Sequence, residues 1–221
     1  MSMKLTEFES YKLLKKYNIA TPKHFLAKNK VSAQRFAKKI KYPVVMKLMS
    51  EDILHKTEAK GVVLNVADMN TLEEQYNNII ANANEFWLST GNISKPKIDG
   101  ILIEETICGI EVIIGGQTDA QFGKTIMFGL GGIFVEAFND VSFRLVPLQE
   151  KDIEDMIGEL KSKKILDNYR NIKINRKKLI DIILNVSKMF ESENIIEFDL
   201  NPVFLNEKQA VVCDARIMLR E

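Results

Sequence analysis

Four groups of residues in this 221-residue chain have the types and spacing that do chemistry. Lys47 lies within Val45-Met46-Lys47-Leu48. In such an apolar run an ammonium is costly unless an anion or a carboxylate meets it, or unless its stem carries the charge out to an exposed face. His55 lies in the polar stretch 50–57, beside Lys56. Imidazole is nucleophilic and titrates near neutrality, so this histidine can take up and hand on a phosphoryl group, or be an ordinary solvated side chain. The other histidine, His24, follows the turn at Thr21-Pro22 and has no charged cluster beside it in sequence. Residues 128–136 are rich in glycine (Gly129, Gly131, Gly132), which suits a loop whose N–H groups cradle phosphate and equally a tight turn between strands. They lack the Gly-Lys-Ser/Thr ending of a Walker loop and the Rossmann spacing. Glu197, Asp199 and Asn201 alternate along an extended run, which puts them on one face, and a hairpin can bring Asp214 beside them. Such oxygen donors suit Mg²⁺, which takes one or two carboxylates and leaves its other positions to water and phosphates. A solvent-facing strand edge would carry the same residues.

The elements that must position these groups are α/β (α+β) in class. Thr6 and Glu9 have capping-box spacing, and Phe8, Tyr11, Leu14 and Tyr17 recur at helical intervals until Pro22, which predicts a lead-in helix. A second helix is expected over 32–40, then a buried strand over 44–49 that holds Lys47, and another strand over 61–66. Thr71 and Glu74 read as the cap of a third helix carrying Leu72, Tyr76, Ile79 and Ile80. The polar segment 91–97 marks the expected boundary between an N-terminal subdomain, 1–97, and a C-terminal subdomain, 98–221. In the second half the apolar runs 101–104, 111–114 and 125–128 read as strands. Helices follow over 151–160 and 176–190, and strands over 195–200 and 210–212 close the chain about a polar hairpin at 206–209.

Composition narrows the possibilities. Lys plus Arg number 31 and Asp plus Glu 30, so no bulk field draws the chain to nucleic acid or to an anionic membrane, and any anion must be held locally. Two cysteines, Cys108 and Cys213, support neither a metal cluster nor a disulfide scaffold. No apolar run reaches the ~20 residues of a membrane span, and no signal peptide is evident, so a reducing cytoplasm is the expected setting.

From Leu5 to Arg216 the sequence resembles the ATP-grasp subunit of ADP-forming acetyl-CoA (acyl-CoA) synthetases, distant relatives of the succinyl-CoA synthetase β subunit. The stretches that carry the resemblance are Leu5-Thr6-Glu7, Val45-Met46-Lys47, Asp52-Ile53-Leu54-His55-Lys56, residues 126–136, Val141-Ser142-Phe143-Arg144-Leu145 and Glu197-Phe198-Asp199-Leu200-Asn201-Pro202. It implies an ATP-grasp fold of two α/β subdomains with the nucleotide between them. Lys47 would meet nucleotide phosphate, and the glycines Gly131 and Gly132 would supply backbone donors. The strand through Glu104, Glu105 and Ile107 would present backbone groups to adenine, and Glu111 would face the ribose. Asn201 and Asp214, with Asp199 close by, would hold Mg²⁺. Arg144 would help neutralise the transferred phosphoryl group, and His55 would be the histidine that carries phosphate on a mobile loop.

The implied reaction is acyl-CoA plus ADP plus phosphate giving the acid, CoA and ATP. It implies a partner, a CoA-binding α subunit with the first phosphohistidine, in an α2β2 assembly. One departure stands out: relatives usually have Gly-Gly before the Val-Val run, where this chain has Lys60-Gly61. Two other readings share the nucleotide site, an ATP-grasp carboxylate–amine ligase and a nucleotide-sensing module without chemistry.

Overall fold

The chain opens with a short strand, β1 (Ser2–Lys4), and the lead-in helix α1 (Glu7–Lys16). The capping box forms as the spacing requires: the Glu9 N–H donates to Thr6 Oγ1 at 3.3 Å and the Thr6 N–H to Glu9 Oε2 at 2.8 Å. The computed structural model describes residues 2–53, 55–132, 138–167 and 173–220. Its contacts divide the chain into two units, residues 22–106 and residues 1–21 with 107–221.

Unit 22–106 contains β2 (His24–Ala27), α2 (Lys30–Ile40), β3 (Val44–Ser50), β4 (Val62–Val66), α3 (Met69–Ser89) and β5 (Ile98–Glu105). The strands form an antiparallel sheet in the order β2-β5-β3-β4. Val44, Met46, Leu48, Ile101 and Ile103 join Ala33, Ala37, Leu72 and Ile79 of α2 and α3 in one core. Strand alternation then sends Lys47 to the opposite face of the sheet. α3 begins earlier than Thr71. Its cap is Asp68, whose carboxylate accepts the Thr71 N–H at 2.8 Å, so the Thr71–Glu74 box read from sequence gives way to a carboxylate three residues upstream that reaches the same N–H.

The other unit adds β6 (Ile110–Asp119), β7 (Gly123–Leu130), β8 (Val141–Leu145), α4 (Glu150–Glu159), a short 3₁₀ turn (Lys163–Leu166), α5 (Arg176–Ser192), β9 (Ile195–Leu205), β10 (Ala210–Val212) and β11 (Ala215–Arg220). Its antiparallel sheet runs β1-β11-β9-β6-β7-β8, with β10 paired to β9. Ala215, Leu200, Ile114 and Phe128 stand in register across four strands, and Ile217, Phe198, Gly116 and Ile126 form the next row on the same face. That face packs against α4 and α5, with the Phe198 ring edge-on to Phe190 at 5.1 Å. Lys124 reaches the C-terminal end of α5, donating to the carbonyls of Phe190, Glu191 (3.2 Å) and Glu193 (2.9 Å), where the helix dipole favours a cation.

The division at residue 97 read from sequence differs from these units at both ends. β5 pairs with β2 and β3, so residues 98–106 belong with the first sheet. The lead-in helix belongs with the second unit: Lys16 Nζ and Tyr17 Oη both bond Glu193 Oε1 at 2.6 Å, and the Val212 N–H donates to Ala20 O at 2.9 Å. Local polarity at 91–97 marked a surface turn, whereas the division follows strand pairing. No described helix is long and apolar enough to cross a membrane.

A Cβ built on Gly116 would lie 2.1 Å from Phe198 Cε1, so the ring occupies space that any other residue would need. Gly116→Ala is therefore expected to lower unfolding free energy by about 1–3 kcal/mol. Urea unfolding measures it, and unchanged stability would refute this packing.

Candidate functional site

The same alternation that buries one face of the seven-stranded sheet sets a polar row on the other. Arg216, Asp199, Gly115, Met127 and Phe143 stand in register across β11, β9, β6, β7 and β8. The next row holds Met218, Glu197, Gln117, Thr125 and Leu145. Toward the other end of β9, Val112 pairs with Val203 but Ile114 with Leu200, so β9 carries an extra residue at Asn201-Pro202. Asn201 leaves the regular ladder there and its N–H donates to Asp214 O at 3.1 Å, which fixes Asp214 next to it as the hairpin reading requires. A cavity of ≈ 710 Å³ on this sheet is lined by Asp199, Glu197, Arg216, Gln117, Met127 and Phe143, among others.

Burial pushes the Asp199 carboxyl above its ordinary value of 3.8, the Arg216 charge pulls it back, and the Asp214 charge adds a further push upward. Two carboxylates that repel each other beside an amide oxygen are a donor set that a divalent cation relieves. Among the described residues no three His, Cys, Asp or Glu side chains form a ready cage. The set therefore fits Mg²⁺ held jointly with phosphate oxygens rather than a structural metal.

Glu111 is exposed on β6, and its carbonyl accepts the Gly131 N–H at 2.8 Å. A Cβ on Gly131 would come 3.0 Å from Glu111 Cβ, and Gly132 has φ +61°, so both glycines are needed for the chain to turn here. Residues 133–136, also part of the glycine-rich stretch, lie outside the described residues.

In the unit 22–106, Lys47 finds its counter-charge: Nζ is 2.8 Å from Glu104 Oε2, with only 7% and 2% of the two side chains exposed. Of the options open to a strand lysine, a carboxylate partner is the one realised. Glu104 stands opposite Val45, so it is a diagonal neighbour of Lys47 on the same face, and His24 stands opposite Glu104 on β2. This register gives His24 a charged neighbour that the sequence alone did not suggest. Glu105 is held by Lys23, accepting from its N–H and its Nζ, both at 2.9 Å. The chain passes from one unit to the other between Thr106 and Ile107.

His55 sits between β3 and β4 with its side chain 69% exposed and Nδ1 3.5 Å from Glu58 Oε1. The segment is pinned on both sides. Ser50 Oγ donates to Lys97 O at 2.7 Å and accepts the Asp52 and Ile53 N–H groups at 3.2 Å, while the Gly61 N–H donates to Lys56 O at 2.6 Å. Ile53 and Ala59 are buried, and Leu54 lies outside the described residues. Lys60 has φ +48°, the left-handed region that favours glycine, so the Gly-Gly pair that the resemblance leads one to expect would suit this backbone.

Arg144 is not brought to Asp199 and Asp214. It stands in register with Ile126, on the face that packs α4 and α5, and forks onto Glu159 at 2.6 and 3.0 Å. The cation beside Asp199 is instead Arg216. Its signal was present in sequence as Arg216 two residues after Asp214, the spacing that keeps side chains on one side of an extended chain.

Two units with antiparallel sheets, one with a strand lysine and the other with Asp199, Asn201 and Asp214 close together, are the features expected of an ATP-grasp domain. The chain belongs to that family, whose ATP-grasp domain profile matches residues 2–219. It is 43% identical to the acetate–CoA ligase (ADP-forming) II subunit beta of Pyrococcus furiosus, covering 98% of this chain and 92% of that subunit. It is 42% identical to the acetate–CoA ligase (ADP-forming) II of Archaeoglobus fulgidus, covering 99% of this chain but spanning only 31% of that longer protein. Among solved structures, the dinucleotide-forming acetyl-coenzyme A synthetase 1 of Ca. Korarchaeum cryptofilum, in complex with coenzyme A and Ca-AMPCP, superposes with a TM-score of 0.90 at 39% identity, covering 98% of this chain and 93% of that one. The same protein has been solved with Mg-AMPPCP and a phosphohistidine segment pointing towards the nucleotide binding site (TM-score 0.83, 36% identity, covering 98% and 93%).

Two outcomes follow from the geometry. Because folding raises the Asp199 pKa, its contribution to stability is whole below 3.8 and is lost as pH rises through the folded value. Asp199→Asn, which carries no charge at any pH, is expected to gain stability over the wild type as pH rises from about 4 to about 8 in Mg²⁺-free, nucleotide-free buffer. A pH-independent difference in urea unfolding would contradict this. Lys60→Gly relieves about 1 kcal/mol of backbone strain, partly offset by a freer unfolded chain. Its stability should be unchanged or up to ~1 kcal/mol higher, and a comparable loss would refute the strain.

Proposed function

We propose that this chain is the nucleotide-binding part of an ADP-forming acyl-CoA synthetase, and that it moves a phosphoryl group between a phosphohistidine and ADP. The observation that carries this reading is the Asp199, Asn201 and Asp214 set, gathered by a β9 bulge on the sheet face opposite α4 and α5. It is the donor set of a magnesium nucleotide, in a chain whose relatives are acetate–CoA ligases. The named β subunit among those relatives supports a partner subunit. On this reading the partner is a CoA-binding α subunit with the first phosphohistidine, in an α2β2 assembly.

On this reading Asn201, Asp214 and Asp199 hold Mg²⁺, which when bound offsets charge on the nucleotide phosphates. Lys47, paired with Glu104, meets phosphate. Glu104, Glu105 and Ile107 offer backbone groups to the base, Glu111 faces the ribose, and Gly131 and Gly132 supply N–H donors. His55 is the carrier. Glu58, 3.5 Å from Nδ1, favours the tautomer with the proton there, leaving the Nε2 lone pair to accept the phosphoryl group.

In the complex reconstituted with the partner subunit, His55→Ala is expected to lower turnover at least ~10³-fold while the dissociation constant for Mg-ADP stays within ~3-fold of wild type. Steady-state kinetics and calorimetry measure the two quantities. Full turnover by the variant would remove the carrier role.

A further inference from the structure

We propose that Arg216 is a catalytic residue of this phosphoryl transfer, its guanidinium binding the group in flight; the proposal rests on the functional reading above. Two other arginines show what an occupied guanidinium looks like in this fold. Arg144 forks onto Glu159 and Arg176 onto Glu154. The Arg216 side chain makes no hydrogen bond and no ion pair among the described residues, although it stands in register with Asp199 and lines the same cavity. Its charge acts on Asp199 at a distance without being spent on it.

Position adds to availability. Arg216 lies two residues from Asp214 on β11 and directly across from Asp199 on β9, so it adjoins the carboxylates assigned to the metal. A planar fork of five N–H donors matches the oxygens of a phosphoryl group better than an ammonium does. The transfer breaks the N–P bond of phosphorylated His55 and forms a P–O bond to the terminal phosphate of the nucleoside diphosphate. The electron pair of the broken bond returns to the imidazole nitrogen, and the ring keeps its proton on Nδ1. Charge spreads over the three oxygens of the moving group, and the Arg216 guanidinium supplies N–H donors and positive charge to bind them.

The test uses the reconstituted complex and the variants Arg216→Ala and Arg216→Lys. Mg-ADP binding is expected to stay within ~3-fold of wild type while kcat falls ~10²–10³-fold. Added guanidinium chloride should restore the rate of Arg216→Ala at least ~10-fold, and sodium chloride at the same ionic strength should not. Arg216→Lys keeps the charge without the fork and is expected to remain slow. It reads the same outcome should the alanine variant fail to fold. Turnover of both variants near the wild-type rate, a rate loss matched by lost Mg-ADP binding, or absence of guanidinium rescue in a folded Arg216→Ala each overturns the proposal. Failure of the functional reading shows differently: the wild-type complex itself would neither bind Mg-ADP nor turn over, and the role of Arg216 would fall with it.

Discussion

The antiparallel register of β9 with β6 and β11 is the constraint on which the rest depends. It sorts side chains into two sets. Leu200, Ile114, Phe128 and Ala215 go to the face that α4 and α5 cover, and their burial holds the sheet in place. Asp199, Glu197 and Arg216 go to the other face because period-two alternation leaves them no choice. A slip of β9 by one residue would turn Asp199 and Glu197 toward the helices and Leu200 and Phe198 away from them, so the same hydrophobic packing that stabilises the unit also fixes the site. The extra residue at Asn201-Pro202 is the one interruption, and it is where Asn201 turns toward Asp214.

Stability and function pull against each other at these positions. Asp199 is held partly out of water near a second carboxylate, which disfavours its charge in the absence of a cation. Lys47 and Glu104 form an almost fully buried pair, where desolvation consumes much of the attraction and removal of one partner leaves a stranded charge. An apolar pair of similar volume would hold the sheet as well or better. Their retention is explained by the anionic ligand that each site is proposed to meet. Lys60, in a backbone region that suits glycine, is a third local cost, placed on the segment that carries His55.

Much of this was legible in the sequence, for physical reasons that differ from place to place. Alternation in Glu197-Phe198-Asp199-Leu200-Asn201 and the Thr6–Glu9 capping box are local, and both appear in the structure as read. The register of distant strands is not local. That is why the division into units fell elsewhere than residue 97, and why Glu104 could not be named as the partner of Lys47. It is also why Arg144, in a run that resembles the family, drew attention while Arg216 was not singled out: which face of β8 is covered depends on helices that come later in the chain, over residues 150–159 and 176–192. Asp68 displaced Thr71 as a cap because two plausible cap residues stood three apart and the upstream carboxylate adds a turn of helix.

Passage of phosphate through a histidine of this chain can be caught by incubating the reconstituted complex with acetyl-CoA, phosphate and Mg²⁺ but no ADP, and mapping protein-bound phosphate by mass spectrometry under alkaline conditions. An acid-labile, base-stable phosphate on His55 that disappears when ADP is added, with matching formation of ATP, is the expected result. ATP formation on ADP addition with no phosphate at His55 would contradict it.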